Sequence, residues 1–220
     1  MIFCGFYVKI ETTEGFTVRC SLHYGREGNA IKNFFATAFR MKYIRRWGLM
    51  YSVQPETLST HSLEVGLCAH ALALIGNARF GQSYDADRVA TKALYHDLPE
   101  IFTGDIPTPV KYYSKETHES YSSVEQAALE RLFSMLPEEL RPSYEELFAL
   151  TAEEKKLIKA ADKICALLNC RDERTYGNPD FREAEKTLLQ SLQEMRCEEA
   201  DYFMEAFGES FSQPIDTLLK

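Results

Sequence analysis

The stretch HSLEVGLCAHALALIGNARF (61–80) constrains the fold more than any other part of this sequence, because nearly every face of it would be apolar on a helix. With 100° of rotation per residue, His61, Val65, Cys68 and Leu72 share one face, and the other faces are largely apolar as well. A helix without a polar face must be surrounded by other elements. The pattern therefore predicts a central helix that begins with an inward-facing histidine.

The rest of the chain from residue 31 onward also has helical spacing of its apolar residues, without repeats or heptads, which predicts an all-α architecture. Residues 1–30 differ, and FYVKIETTEGFTVRCSLHY (6–24) within them is typical of a short β-hairpin. We expect an N-terminal extension of unassigned role over 1–30 and one helical domain over 31–220. Further helices are predicted at 33–50 with a break at Gly48, 86–98 with Asp85 as N-cap, 115–136, 145–171 with a break near Thr151, and 181–211.

Composition narrows the possible partners. The net charge of −8 over 220 residues argues against a broad nucleic-acid surface but leaves room for a small anionic substrate at a local positive site such as Arg45–Arg46. The six cysteines have neither CxxC spacing nor a compact framework, so a reducing cytoplasm is expected. No uninterrupted apolar run approaches the ~18–20 residues that span a bilayer, and a signal-peptide pattern is absent from the sequence.

Three fragments have the make-up of a metal site: His61, the pair His96–Asp97, and Asp162. On the wheel of 86–98 the pair shares an arc with apolar residues, while Lys92 points away. Asp162 falls at the edge of an apolar stripe. Each fragment alone has a simpler interpretation, since a histidine on an apolar face is more often a hydrogen-bonded core residue and Asp162 alone would pass as a surface acid. Together they suit one divalent cation of intermediate hardness, such as manganese, cobalt, iron or zinc.

The segments YHDLPE (95–100) and TGDIPTPVK (103–111) add chemistry to this set. Glu100 lies three residues beyond Asp97, close enough for acid–base work on a water or a leaving oxygen. Gly104 permits a tight turn, and the prolines that follow restrict φ, so Asp105 can be held rigidly. Without further information this loop could equally be a plain connector between helices. The combination indicates metal-assisted hydrolysis of a phosphate ester.

These motifs, in this order and spacing, resemble the HD-domain metal-dependent phosphohydrolases. Within that superfamily the chain is similar to the bacterial YfbR-type 5′-deoxynucleotidases from about Asn33 to Phe211, and the TGDIPTPVK block is specific to that subgroup. The segments that carry the resemblance are IRRWGLM (44–50), STHSLEV (59–65), ALYHDLPEIFTGDIPTPVKYY (93–113), LPEELR (136–141) and EEADYFMEAF (198–207).

The resemblance implies an HD-domain helical bundle that binds one divalent cation, such as cobalt or manganese, through His61, His96, Asp97 and Asp162. It implies Glu100 as the catalytic acid, Arg46 as the residue that orients the phosphate, and Trp47 with Asp105 as contacts of the deoxyribose. The matching substrate-binding loop runs from Asp105 through Ile106 and Pro107 to Thr108, and Asp97 and Asp162 also border the substrate. It further implies a cytoplasmic homodimer that acts on a small molecule, with no nucleic-acid polymer and no membrane as partner.

The expected reaction is hydrolysis of deoxyribonucleoside 5′-monophosphates to deoxyribonucleosides and phosphate. Alternatives are an HD-domain hydrolase of a triphosphate or a guanosine alarmone, and a non-catalytic nucleotide-binding HD protein. A larger polyphosphate would need more basic side chains than Arg45, Arg46 and Lys111. The chain departs from the family in having Thr60, not an acid, before the first ligand histidine, which predicts weaker support of that ligand.

Overall fold

The computed structural model describes residues 32–219, and within this range it is helical, with no strand and one isolated antiparallel bridge between Arg45 and Thr57. The predicted hairpin at 6–24 lies outside the described residues. Short 3₁₀ helices occupy Phe39–Tyr43, Pro179–Phe181 and Ser210–Ser212. The α-helices are α1 (Phe34–Ala38), α2 (Leu58–Arg79), α3 (Ala86–Leu94), α4 (Glu100–Thr103), α5 (Thr108–Lys111), α6 (Lys115–Phe133), α7 (Arg141–Phe148), α8 (Ala152–Thr175), α9 (Arg182–Glu194), α10 (Glu198–Phe207) and α11 (Ile215–Leu218).

Helix α2 is central, as its sequence predicts, and packs against α3, α8 and α10. Val65, Leu72 and His61 on its predicted inward face are all completely buried. Gly66 lets α3 approach closely, since a Cβ atom there would lie 2.8 Å from Cδ2 of Leu94. By length and composition α2 alone among the described helices could cross a bilayer. Half of its apolar stretch is buried against these neighbouring helices, while Leu63 and Leu67 stay exposed on its outer face, which the predicted enclosure on all sides did not include.

Apolar side chains form two clusters, one on each side of α2. The larger joins α2, α3, α8, α9 and α10, and includes Leu157, Ile164 and Phe203. The smaller joins α1, the start of α2 and the end of α6 around Phe34 and Leu132. The predicted metal ligands lie on α2, on α8 and in the turn after α3, elements that also contribute buried residues to these clusters.

Several predicted helix boundaries are confirmed. Asp85 caps α3, because its carboxylate accepts a hydrogen bond from the backbone N–H of Arg88 at 3.0 Å. The predicted break near Thr151 separates α7 from α8, and Thr151 forms a reciprocal capping box with Glu154. Helix α8 is thereby fixed at its first turn, and this sets the phase of the carboxylates and apolar residues farther along it.

Two predicted helices are wrong in extent. The helix at 33–50 ends at Tyr43, because Ile44 becomes extended and the backbone from 44 to 46 pairs with 56 to 58 through the bonds Arg46 N–H to Glu56 O and Leu58 N–H to Ile44 O. The helix at 181–211 is interrupted after Glu194, where Arg196 has a φ of 48° and Cys197 is extended. Cys197 is fully buried, and this reversal lets α10 pack back on α2 and α8.

The predicted helix at 86–98 is also shorter, and α3 ends at Leu94. The backbone then tightens into turns, with N–H groups of Tyr95 and His96 bonding three residues back. Pro99 disfavours helical backbone at the residue before it, which explains why the helix does not continue. Lys92 was predicted to point away from the core and is instead buried, because its ammonium donates to Glu154 at 2.6 Å.

Candidate metal centre and its surroundings

Three separate elements bring the predicted metal ligands together. His61 lies in the first turn of α2, His96 and Asp97 lie in the turn after α3, and Asp162 lies in the middle of α8. One ligand atom each of His61, His96 and Asp162 lies within 4.8 Å of the others. Nε2 of His61 is 3.0 Å from Oδ1 of Asp162 and 3.7 Å from Oδ2 of Asp97. Ending α3 early lets the adjacent residues His96 and Asp97 both face this point.

The donor set fits a divalent cation. His96 donates its Nδ1–H to the backbone carbonyl of Ala93 at 2.7 Å, which leaves Nε2 with its lone pair directed inward. That Nε2 is buried without a hydrogen-bond partner among the described residues, although Oδ2 of Asp97 lies 3.1 Å away outside hydrogen-bonding alignment. A buried nitrogen of this kind needs a partner. A mixed imidazole and carboxylate set is suited to a transition-metal ion.

The charges at the centre act strongly on one another. Burial opposes a charged imidazole at His96, yet the carboxylates of Asp97 and Asp162 raise its pKa to about 9. Burial would likewise lower the pKa of His61, but its hydrogen bonds to Asp162 and Glu56 raise it. For Asp162 burial favours the neutral acid, and the histidines and Arg46 nevertheless lower its pKa below the usual value. The carboxylates thus favour positive charge at this centre, which a bound divalent cation would also supply.

Glu100 faces the same centre as the first residue of α4. Its Oε2 is buried and has no hydrogen-bond partner in the described range. Burial, with the nearby carboxylates of Asp97 and Asp105, raises the pKa of Glu100 to about 9. A carboxyl group held neutral near physiological pH is suited to donate a proton.

Arg46 and Trp47 approach the centre from residues 44–57, which we call the recognition segment. Nη2 of Arg46 lies 3.8 Å from Oδ1 of Asp162. Trp47 adopts a φ of 62°, and its indole packs edge-on against the buried ring of Phe181 at a centroid distance of 5.1 Å. This departure from helical structure, which the sequence pattern did not predict, brings the guanidinium of Arg46 beside the predicted metal ligands and the indole of Trp47 against Phe181.

The predicted substrate-binding loop lies next to the recognition segment. Gly104 has a φ of 72°, as the predicted tight turn requires, and Asp105 follows it. Oδ2 of Asp105 accepts a hydrogen bond from the backbone N–H of Trp47 at 3.0 Å, which joins the two residues implied in sugar contact. Ile106 and Pro107 are half-buried, and Thr108 is exposed at the start of α5.

Glu56 belongs to the site and was missed from the sequence. It is 6% exposed, and its Oε1 lies 3.2 Å from Nδ1 of His61. Thr60, at the position where the family has an acid, instead donates its backbone N–H to the Thr57 side chain, which caps α2. Support for the ligand histidine thus comes from five residues upstream. The signal was the lone acid in the polar stretch before α2.

A cavity of about 280 Å³ borders the centre and is lined by His96, Asp97, Glu100 and Lys111, among others. This volume is at the lower end of small-molecule sites, which are roughly 300–1,000 Å³. A larger cavity of about 610 Å³ between α8, α9 and α10 contains none of the predicted site residues. Of these two cavities, only the smaller is bordered by predicted metal ligands and by Glu100.

Known proteins match this chain over most of its length. The family model for YfbR-like 5′-deoxynucleotidases matches residues 33–211. The 5′-deoxynucleotidase VV1113 of Vibrio vulnificus is 46% identical over 189 residues, which are 84% of this chain and 97% of that protein. The 5′-deoxynucleotidase YfbR of Escherichia coli is 44% identical over 189 residues, or 84% of this chain and 95% of that protein.

Solved structures show the same fold. An HD-domain phosphohydrolase from Listeria innocua superposes with a TM-score of 0.73 at 27% identity, covering 82% of this chain and 89% of that one. The HD phosphohydrolase DatZ of cyanophage S-2L, bound to dA and one catalytic Zn²⁺ ion, has a TM-score of 0.62 at 22% identity, covering 81% of this chain and 96% of that one. With the fold, the clustered ligands and the relatives in agreement, the chain belongs to the YfbR-like family of 5′-deoxynucleotidases.

Proposed function

We propose that this protein is a metal-dependent 5′-deoxynucleotidase that hydrolyses deoxyribonucleoside 5′-monophosphates to deoxyribonucleosides and phosphate. One observation carries the proposal. Arg46 and Trp47 of the recognition segment and Asp105 of the loop converge beside the His61, His96 and Asp162 cluster. Relatives at 44–46% identity that carry the same activity name support it.

The cation would be held by His61, His96, Asp97 and Asp162. It would supply a lowered pKa for the attacking water and charge neutralisation for the phosphate oxygens. The cluster is suited to several divalent cations, and the zinc-bound cyanophage enzyme shares this fold. The residues of the chain itself carry out binding, orientation and proton transfer.

Arg46 binds the phosphate in this proposal, because a guanidinium offers a planar pair of donors that matches two phosphate oxygens. The water oxygen forms the new bond to phosphorus while the bond from phosphorus to O5′ breaks, and the attacking water gives up one proton to solvent, from which Glu100 is reprotonated after the reaction. The leaving O5′ takes up the proton of Glu100, whose raised pKa keeps that proton available. Trp47 forms the wall against the deoxyribose, and Asp105 fixes the sugar from the loop.

A homodimer and a cytoplasmic location are also proposed, the first from exposed apolar residues and the second from the cysteines. Phe39, Leu63 and Leu67 are 68%, 56% and 67% exposed near α1 and on α2, an apolar surface of the kind that a second copy of the chain would cover in a homodimer. Cys68 and the three other cysteines in the described residues are buried and free, which is in keeping with a reducing cytoplasm. Light scattering on the purified protein would test the dimer.

A substrate panel tests the reaction. Phosphate release is measured with deoxy- and ribonucleoside mono- and triphosphates and with guanosine tetraphosphate, each with Co²⁺, Mn²⁺ and Zn²⁺. Deoxyribonucleoside monophosphates are expected to have the highest kcat/KM, and the His61→Ala variant is the inactive control. Faster hydrolysis of a triphosphate or of the alarmone would overturn the proposal, and no hydrolysis with any metal would favour a binding protein.

A further inference from the structure

One buried carboxylate joins the metal ligands to the residues proposed to contact substrate. Glu56 lies in the recognition segment just before α2, and both of its oxygens are engaged. Nη1 of Arg46 donates to them at 3.3 and 3.2 Å, and Nε1 of Trp47 donates to Oε2 at 2.7 Å. Oε1 also lies 3.2 Å from Nδ1 of His61. Three residues assigned to the site on separate grounds therefore meet at a single side chain.

The contact with His61 supplies an acceptor for a proton on Nδ1 of the ring. For Nε2 to bind a cation, the proton of the neutral ring must be on Nδ1. Nη1 of Arg46 also contacts this Nδ1, but a guanidinium can only donate. Once Nδ1 is protonated, Glu56 is the neighbour that can accept its hydrogen bond. His96 uses a backbone carbonyl in the corresponding role, at Ala93, so only His61 depends on a side chain.

The contacts with Arg46 and Trp47 hold a backbone that would otherwise relax. A non-glycine residue at positive φ is strained and persists only where its surroundings fix it. Trp47 is fixed by three groups: Glu56 at the indole nitrogen, Asp105 at the backbone N–H, and Phe181 against the ring. The same carboxylate that holds the indole also holds the guanidinium beside it.

We propose that Glu56 is a positioning residue that orients His61 for the metal and, through the same carboxylate, Arg46 and Trp47 for the substrate. Metal affinity and substrate recognition are then set together, without Glu56 contacting either ligand. The substrate half of this statement rests on the proposed function, whereas the metal half does not.

The first test is Glu56→Gln, which keeps the size of the side chain and removes its charge. The dissociation constant for Zn²⁺, measured by calorimetry, is expected to rise about 10- to 100-fold, the usual effect of removing an outer-shell partner of a ligand histidine. Trp47 is the only tryptophan of the chain, so its fluorescence reports directly on the indole that Glu56 holds. Its emission maximum and its quenching by acrylamide are expected to change.

Glu154→Gln is the matched control. Glu154 is 8% exposed, accepts hydrogen bonds from Lys92 and the backbone of Thr151, and is not among the contacts of the metal ligands or Trp47. Its Zn²⁺ dissociation constant is expected to stay within about threefold of wild type, with unchanged tryptophan emission. Glu56→Asp, which restores the charge, is expected to recover part of the lost affinity and serves if the glutamine variant does not fold.

Kinetics at saturating Zn²⁺ show whether Glu56 affects substrate recognition directly or only through metal affinity. If Glu56 also positions Arg46 and Trp47, the KM of Glu56→Gln for dAMP is expected to remain raised about tenfold or more when the metal site is full. Full recovery of KM would overturn the coupling, and a Zn²⁺ affinity within threefold of wild type in folded Glu56→Gln would overturn the whole proposal. If the wild type hydrolyses no nucleotide, the proposed function fails, while the Zn²⁺ and fluorescence results still decide the role of Glu56.

Discussion

The proposed metal ligands and the recognition segment are held in place in different ways. His61 and Asp162 project from α2 and α8, which are 22 and 24 residues long and satisfy their own backbone hydrogen bonds. Arg46 and Trp47 lie on a segment whose backbone has no such ladder beyond its short pairing with the start of α2. Buried carboxylates take its place: Glu56 binds the side chains, and the fully buried Glu173 accepts from the N–H groups of Val53 and Gln54 at 2.9 and 2.8 Å.

This difference teaches that the two halves of the site depend on different parts of the sequence. A helix keeps its shape when one ligand is removed, because its hydrogen bonds are internal. An irregular segment depends on side-chain acceptors, so a single charge controls its conformation. Substitutions of metal ligands should therefore change function with little effect on structure, whereas substitutions around the recognition segment should change both.

The largest effect is expected from removing a metal ligand. His61→Ala, His96→Ala or Asp162→Ala is each expected to abolish stoichiometric metal binding and leave the helical content intact. Atomic emission on the purified variants, with far-UV circular dichroism, is the measurement. Full metal occupancy in any one variant would remove that residue from the ligand set.

Glu100→Ala should separate proton transfer from metal binding. The variant is expected to keep its metal and bind substrate, yet to lose at least about 10²-fold in kcat, the scale of a general acid–base group. Steady-state kinetics on metal-loaded enzyme measure this loss. A kcat near that of the wild type would assign proton transfer to another group or to water.

Sugar choice tests the recognition segment directly. Trp47→Ala is expected to raise the ratio of ribo- to deoxyribonucleotide kcat/KM by a factor equivalent to about 1–3 kcal/mol, because the 2′-hydroxyl would no longer meet a filled space. Competition between dAMP and AMP measures the ratio. An unchanged ratio in both Trp47→Ala and Asp105→Ala would place the choice elsewhere in the molecule.

Glu173→Gln probes the backbone of the same segment without touching a metal ligand. Its loss of charge weakens the bonds to Val53, Gln54 and Asn178, and the free energy of unfolding is expected to fall by about 1–3 kcal/mol. Urea denaturation of the metal-free protein measures this change. Wild-type stability would show that the segment is held without this carboxylate.

The last test changes no residue and follows the pH dependence of metal affinity. Because the pKa of His96 is raised from its ordinary value of 6.5 to about 9, the metal-free protein holds this proton at pH 7 and must release it on binding. The dissociation constant for Co²⁺ should therefore fall about tenfold per pH unit for each proton released between pH 7 and 9. Calorimetry in buffers of different ionisation enthalpy counts the protons, and a pH-independent constant would contradict the assignment.

Helical period predicted much of the fold but little of the recognition segment. The central α2, the cap at Asp85 and the break at Thr151 are confirmed, since each follows from local pattern and capping chemistry. The end of the first helical stretch at Tyr43 depends on pairing with residues 56–58, which no local rule reveals. Lys92 was misplaced for a similar reason, because its burial depends on Glu154, 62 residues away.

The candidate site divides in the same way. The ordered histidines and aspartates could be recognised because ligand chemistry restricts residue type, and the structure brings three of them within 4.8 Å. Glu56 was missed, because its contact with the Nδ1 side of His61 belongs to no motif, and a single acid in a polar stretch is only a weak signal. The sequence also placed Arg46 and Trp47 inside a helix, whereas both lie on an irregular segment held by Glu56.

The strained backbone at Trp47 lowers the stability of the fold at a residue whose side chain is proposed to contact the substrate. It is one of two non-glycine residues with positive φ in the described part of the chain, and it occupies a conformation that glycine adopts without strain. Selection for thermal stability alone would therefore favour small, flexible residues at this position. Such residues would remove the indole that we propose contacts the deoxyribose. Variants evolved for heat resistance should therefore reach a limit at this position, because the residue that relieves the backbone strain cannot supply the proposed substrate contact.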